Sequence, residues 1–288
     1  MKVSYNFSVF ILTHGRPDNV ITVKTLRKFG YTGRIIIILD DLDKNINEYK
    51  KNYPECDFYV FSKKEAMELT DSADNTNNPK AVVYARNMTH RIAKELGIDY
   101  FLVLDDDYDY FVWRSDFEGH YMHKGIKNLD GVFNICLDFL SETSDNVKCI
   151  ALAQNGDYIG GSENYYGKTE TLTRKCMNSF FCKTDRPFCF YGLINEDATM
   201  YSLLGSRGEL FFTTTGLSLK QKTTQENEGG LTTIYLELGT YVKSFYSVMY
   251  HPSSVVVMDM GDKHRRLHHS IKGVNTYPKI LREDVKRS

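Results

Sequence analysis

The run Tyr100-Phe-Leu-Val-Leu-Asp105-Asp106-Asp107-Tyr108 carries five consecutive apolar or aromatic residues straight into three carboxylates. A short apolar run with a sharp change of composition at its end reads as a fully buried strand. Side chains alternate along a strand, so Asp105 and Asp107 are predicted to project to one side at its carboxyl end. In open α/β sheets that end is where ligands sit. Two carboxylates about 4 Å apart repel by roughly 4 kcal/mol at an effective dielectric near 20. Such a cluster calls for a cation, and Mg²⁺ or Mn²⁺ prefers carboxylate oxygen. The alternative is an acidic surface turn. The buried run in front and Tyr108-Asp-Tyr-Phe111 behind favour a site.

Working outward, the same grammar recurs upstream. Phe7-Ser-Val-Phe-Ile-Leu12 reads as a first buried strand, followed by Thr13-His-Gly-Arg16-Pro17. Pro17 suits the first turn of a helix, with Asp18 near its positive end. Val20, Val23 and Leu26 mark one face of that helix, and Gly30 is its predicted stop. Arg34-Ile-Ile-Ile-Ile-Leu39 is a second strand ending in Asp40 and Asp41, and Asp57-Phe-Tyr-Val-Phe61 a third. A polar loop spans 71–80. The next helix has Ala85, Met88, Ile92 and Leu96 on one side and Gly97 at its close. Alternating strands and helices predict a parallel, nucleotide-binding type of sheet. Arg86 and Asn87, near the start of that last helix, are placed either to reach a phosphate or a base or to face solvent.

Downstream the pattern loosens. Residues 118–131 read as a loop in which His120 and His123 are surface residues, Leu129–Leu140 as a helix, and Val147–Ala153 as a strand leading into the glycine-bearing loop Asn155–Gly161. A further strand is predicted at Ser254–Met258. No repeat, low-complexity linker or clean boundary divides the chain, and the carboxyl half is expected to elaborate the same sheet.

The 288 residues are ample for a sizeable core without disulfide or structural metal. A formal charge of −1 gives no bulk attraction to nucleic acid or membrane, so a polyanionic partner would need a local patch. Six cysteines occur without a C-x-x-C pair or zinc-ligand spacing, which suits reduced thiols in a cytoplasm. The first residues read without a signal-peptide h-region and no run approaches membrane-span length, so a cytoplasmic protein is expected.

Two more clusters carry chemistry. Gly192-Leu-Ile-Asn195-Glu196-Asp197 places acids at the start of a predicted helix, as caps or as a general base for an incoming hydroxyl. The densest basic stretch is Lys263-His-Arg265-Arg266-Leu-His268-His269-Ser-Ile-Lys272, which fits phosphate binding, metal ligation by neutral imidazole, or a solvated terminus.

Taken together these pieces resemble a glycosyltransferase of the GT-A fold. That family pairs a nucleotide-binding sheet with an Asp-x-Asp motif, a later Glu-Asp motif and a carboxyl-terminal metal-binding histidine. Asp105-Asp106-Asp107, Asn195-Glu196-Asp197 and His268 or His269 match them in order. Ala85-Arg86-Asn87 is similar to the inverting members. More narrowly, Ile194–Asp197, Thr224-Gln225, Gly229-Gly230, Gly239–Tyr246, Arg266–Ile271 and Pro278–Ile280 resemble the TET-associated glycosyltransferases of bacteriophages, which act on hydroxymethylated pyrimidines of DNA.

The resemblance implies a single α/β GT-A-like domain over 1–288. Its Rossmann-like, mainly parallel central sheet would be flanked by helices and followed by an elaborated carboxyl-terminal half. Residues 1–111 would hold the nucleotide-sugar, and 112–288 the acceptor. Thr13, Arg16, Asp40, Arg86, Asn87, Asp105 and Asp106 would bind the donor, a UDP-sugar by preference. Asp105, Asp107, His268 and His269 would hold Mn²⁺ or Mg²⁺, and Asp197 or Glu196 would act as the base in an inverting transfer. Lys263, Arg265, Arg266, Lys272 and Lys279, with Arg282, would meet DNA phosphates, and no obligate protein partner or membrane is implied. Two other readings stay open: a glycosyltransferase for a glycan, lipid or protein, and a nucleotide-binding or nucleotidyl-transferring protein without sugar transfer.

Overall fold

The computed structural model describes residues 2–73, 78–168, 172–173, 175–221, 242–260 and 266–276. Its first part alternates as the sequence predicts: β1 (Phe7–Leu12), α1 (Ile21–Lys28), β2 (Arg34–Asp40), α2 (Ile46–Asn52), β3 (Asp57–Phe61), α3 (Lys63–Glu68), α4 (Val82–Glu95) and β4 (Tyr100–Asp105). There follow β5 (Tyr108–Ser115), β6 (Tyr121–Gly125), α5 (Leu129–Glu142), β7 (Val147–Gln154), α6 (Tyr165–Lys168), β8 (Leu172–Thr173), β9 (Ser179–Lys183), α7 (Glu196–Ser206) and β10 (Leu210–Gln221). A helix at 242–250 precedes the antiparallel pair β11 (Val255–Met260) and β12 (Arg266–Ile271).

Among the described residues, ten strands make one mixed sheet, in the order β3-β2-β1-β4-β9-β7-β10-β5-β6, with β8 beside β10. The first four are mutually parallel, and β7 and β10 are parallel to each other. β9 enters antiparallel between β4 and β7, and the β5–β6 hairpin closes the far edge antiparallel to β10.

Both faces of the central strands β1, β2 and β4 are covered, which is why they read as unbroken apolar runs. Odd-numbered residues of β1, Val9 and Ile11, pack with Val23 and Leu26 of α1 and Phe133 and Leu137 of α5. Even-numbered Phe10 and Leu12 face Met88 and Ile92 of α4 and Ala198 of α7. All six cysteines are free thiols, and all but Cys189 are buried. No helix among the described residues is long and apolar enough to cross a membrane.

Three local predictions need correction. Helix α1 begins at Ile21 rather than at Pro17, because Asn52 holds the Pro17 carbonyl (3.1 Å) and the Tyr53 hydroxyl accepts the Val20 N–H (3.0 Å). The supposed loop 118–131 contains β6 as an edge strand, whose residues are half-buried or exposed and so lack the apolar alternation of a covered strand. The basic stretch at 263–272 is no simple tail, since residues 266–271 form β12. Gly30 stops α1 as expected, at φ +87°, where a Cβ would also lie 2.5 Å from the Lys127 carbonyl oxygen.

One histidine in α4 makes the fold sensitive to acid. The His90 ring packs edge-on against Phe101 (4.9 Å) and Phe188 (5.1 Å), and both its nitrogens are buried without a well-formed hydrogen bond. Burial drives its pKa down to about 4, against a weaker upward pull from the Thr184 backbone. The unfolded chain therefore takes up this proton first as pH falls, at an ordinary value near 6.5. Up to about 3 kcal/mol of stability, present above pH ~6.5, is lost as pH falls toward the folded value. In His90→Phe that loss should disappear, so that the urea-derived stability of the variant relative to wild type rises by up to about 3 kcal/mol between pH 7 and 4.5. Parallel pH profiles would show that His90 is not the acid-sensitive group.

Candidate active site

The carboxyl ends of β1, β2 and β4 lie side by side, with Leu12 opposite both Ile38 and Asp105. Strand alternation holds only as far as Asp105, for β4 ends there and Asp106 and Asp107 form the turn into β5. Thr22 in the first turn of α1 clamps this turn. Its hydroxyl donates to the Asp105 carbonyl (2.7 Å) and accepts from the Tyr108 N–H (3.0 Å), and its N–H donates to the Asp106 carbonyl (3.1 Å). The three acids are thereby sent in different directions. Asp106 accepts from the Thr13 hydroxyl (2.6 Å) and Arg16 Nη1 (3.1 Å), so three of the predicted donor-site residues meet. Burial raises the Asp106 pKa despite Arg16. Asp107 is pushed up to about 7 by burial and by its neighbours Asp105 and Asp106, and its Oδ1 is buried with no partner.

The β1–α1 loop is held from beneath by residues that sequence alone did not single out. Asp43 accepts the Gly15 N–H (2.8 Å), and the Tyr49 hydroxyl accepts the Arg16 N–H (2.7 Å) while lying 3.3 Å from the Thr13 hydroxyl. Asp40 is buried and takes Nδ1–H of His14 (2.9 Å) and Nζ of Lys63 (3.2 Å). Burial would raise its pKa, but His14 and Lys63 outweigh burial and hold the carboxyl below the usual range. His14 in turn is raised by that hydrogen bond. A buried lysine has no signal in the local sequence. It is legible only once Asp40 is known to need a counter-ion.

A second group forms where α4 faces the start of α7. Arg86 is buried, donating from Nη1 to Glu196 Oε1 and from Nη2 to both oxygens of Asp105 (3.3 Å each). Its guanidinium lies over Phe180 (5.2 Å) and Phe190 (5.7 Å). The first and second acidic motifs, far apart in sequence, are thus joined by one arginine. Asn87 is turned elsewhere: its amide spans the Phe190 backbone, taking its N–H at 2.8 Å and giving to its carbonyl at 3.0 Å, with Thr70 at 3.1 Å. Both ends of that amide are satisfied within the protein, which anchors the ring over which Arg86 sits.

Helix α7 is buried nearly all round and starts from Asn195, held at φ +55°. Glu196 and Asp197 fill its first turn, where the helix dipole favours negative charge. Burial opposes that. It pushes Glu196 up to about 7 and raises Asp197, with Arg86 pulling both down. Asp197 Oδ1 accepts the Ala198 N–H (2.7 Å). Asn195 Nδ2 donates to the Lys243 carbonyl (2.7 Å) and lies 3.3 Å from His269 Nδ1, bringing β12 to the mouth of α7. His269 is driven down to about 4 by burial, then by His268 and nearby lysines, and is a neutral imidazole. His268 Nδ1 gives its hydrogen to the His269 carbonyl (2.6 Å). No three His, Cys, Asp or Glu side chains among the described residues converge into a metal-binding group.

Of the predicted DNA contacts, Lys272 is exposed next to β12. Lys263, Arg265, Lys279 and Arg282 lie outside the described residues, as do Thr224-Gln225, Gly229-Gly230 and Pro278–Ile280, and Arg266 is placed only as a backbone position in β12. His120, by contrast, is the expected surface residue, exposed beside Asp116 and Glu118, and His123 is exposed too.

With this geometry in hand, the family match is decisive: the model of the TET-associated glycosyltransferases fits residues 7–230, from β1 past the end of β10. The chain belongs to the TET-associated glycosyltransferase family. It is accordingly a glycosyltransferase, and nucleotidyl transfer without sugar drops out. Among solved structures, glucosyl-3-phosphoglycerate synthase from Mycobacterium tuberculosis, in complex with Mn²⁺ and UDP-glucose, aligns at TM-score 0.46 and 11% identity over 93% of this chain and 87% of its own. GalNAc-T7 with UDP, GalNAc and Mn²⁺ aligns at TM-score 0.45 and 10% identity over 75% of this chain and 44% of its own. Neither likeness bears on the substrate. No curated protein matches the chain. For this TET-associated glycosyltransferase the α/β sheet, with acids at its carboxyl ends, is the architecture anticipated from the GT-A resemblance.

Proposed function

We propose that this TET-associated glycosyltransferase moves a sugar from a nucleoside-diphosphate sugar, UDP-linked by preference, to the hydroxyl of a hydroxymethylated pyrimidine in phage DNA, in a host cytoplasm and with inversion. The observation that carries the chemistry is the meeting of Asp105 with Glu196 across Arg86. It sets a base-bearing helix start against the end of the donor-binding strand. The acceptor rests on the family's association with TET and on the sequence resemblance.

A divalent cation fits the chain's own groups. Asp107 has a buried, partnerless oxygen, and neighbouring Asp105 is held only by 3.3 Å bonds to a guanidinium. Asp107 and Asp105 would hold Mg²⁺ or Mn²⁺. When bound, the ion supplies Lewis-acid stabilisation of the departing diphosphate. Everything else falls to side chains. Thr13 and Arg16, pinned by Asp106 and Tyr49, present a preformed loop to the donor. Asp197 takes the proton of the acceptor hydroxyl as that oxygen attacks the anomeric carbon and the bond to the diphosphate breaks. Glu196, occupied by Arg86, holds that arginine in place. One displacement from the opposite face inverts the anomeric centre.

Mass spectrometry of nucleosides tests the reading. Hydroxymethylated and unmodified DNA are incubated with the enzyme, Mn²⁺ and a panel of UDP-sugars. A mass gain of one sugar that requires the hydroxymethyl group is the expected result. Cation-dependent hydrolysis of a UDP-sugar with no gain on any DNA would sink the DNA acceptor and point to a glycan, lipid or protein instead.

A further inference from the structure

We propose that Arg86 is a positioning residue whose charge is shared between Asp105 and the α7 carboxylates, and that its share on Asp105 is released to α7 once Asp105 is otherwise neutralised. The inference rests on the cation-dependent donor site proposed above and adds a link between that site and the base.

The observations are geometric. Arg86 is buried, so its charge must be met by protein groups. It is shared unequally: Nη1 touches Glu196 directly, whereas Nη2 reaches both Asp105 oxygens at 3.3 Å, beyond the 2.7–2.9 Å of a strong charge-assisted bond. Nε has no partner at all, and the guanidinium rests on two aromatic faces rather than in a rigid polar cage. One cation therefore serves Asp105, Glu196 and the adjacent Asp197. Asp105 in turn pairs with Arg86 and lies near enough to Asp107 to repel its carboxylate. Any positive charge arriving at Asp105 competes with Arg86 for it. As the hold on Asp105 weakens, the guanidinium's field falls more fully on Glu196 and Asp197 and favours their carboxylate forms. The base is thus set only when the donor end is loaded.

The sign of this competition is testable by Mn²⁺ binding without any turnover. Free Mn²⁺ is measured by electron paramagnetic resonance at pH 8 for wild type, Arg86→Met and Glu196→Gln. Arg86→Met removes the competitor and should bind Mn²⁺ at least about threefold tighter, while its transfer rate falls with little change in KM for the donor. Glu196→Gln gives Arg86 wholly to Asp105 and should weaken Mn²⁺ binding. These opposite signs are the signature, since a merely structural arginine would weaken binding when removed. Unchanged or weaker binding in Arg86→Met, with an unaltered circular dichroism spectrum, overturns the proposal. Should Arg86→Met fail to fold, Glu196→Gln decides alone: unchanged or tighter binding overturns it. Absence of Mn²⁺ binding in wild type would instead sink the cation-dependent reading on which the inference rests.

Discussion

Asp197→Asn is expected to lower the rate constant of sugar transfer by about 10²- to 10⁴-fold, the range for loss of a general base, with KM for the nucleotide-sugar close to wild type. The substitution is nearly isosteric and leaves an oxygen to accept the Ala198 N–H, so the start of α7 should survive. What disappears is the proton acceptor. Glu196 is the neighbouring carboxylate, yet it is bonded to Arg86 and fully buried, and it cannot swing out without stranding that guanidinium. It should therefore not substitute as base. Single-turnover kinetics on hydroxymethylated DNA check this, because they separate chemistry from product release. A loss smaller than tenfold would remove Asp197 from the mechanism and return attention to Glu196.

Asp107→Asn should be equally severe by a different route, abolishing detectable Mn²⁺ binding and, with it, transfer. Asp107 is the acid of the turn whose oxygen has no protein partner, and a hard cation draws its affinity from such anionic oxygen. The wild-type protein offers a companion measurement. Because burial and two neighbouring acids hold this carboxyl near 7, the cation must displace a proton below that pH. Apparent Mn²⁺ affinity should climb as pH rises through about 7 and level off above it. Calorimetry in buffers of differing ionisation enthalpy should detect the released proton on the acid side. Retained Mn²⁺ binding in Asp107→Asn would place the cation elsewhere.

Much of the parallel half was legible because β1, β2 and β4 are covered on both faces. Phe7–Leu12 and Asp57–Phe61 were found at their observed bounds, whereas the alternation predicted from Tyr100 was carried past Asp105, where β4 ends, to Asp107. β6 was not found, since its half-buried and exposed Tyr-Met-His-Lys-Gly has no apolar face to betray it. The short β9 and the long, threonine-rich β10 were likewise unassigned, because their pairing is set by distant strands rather than local pattern. At the site, residue types and motif order pointed to the acids, but not to how they are partnered. Asp106 turning to Arg16 depends on Thr22, which sequence offers no reason to choose. The Arg86–Glu196 bond spans 110 positions, and no local signal can report it. Asn87, adjacent to Arg86 and predicted alongside it, instead anchors the Phe190 backbone. One step along a helix turns a side chain by about 100°.

The place of β9 between β4 and β7 also governs how the protein comes into being. β9 follows both of its neighbours in the chain, so a polypeptide emerging from the ribosome completes the whole β3-β2-β1-β4 layer while β4 still lacks its partner. Until Lys183 has been made, a strand of nearly pure hydrocarbon presents an open row of backbone donors and acceptors, which is a template for pairing with the wrong chain. The second acid that Arg86 meets after Asp105 arrives later still, with Glu196. Adhesive edge and half-partnered arginine are both relieved by the same late stretch of translation, which makes the segment from β9 to α7 the latch of the nascent enzyme.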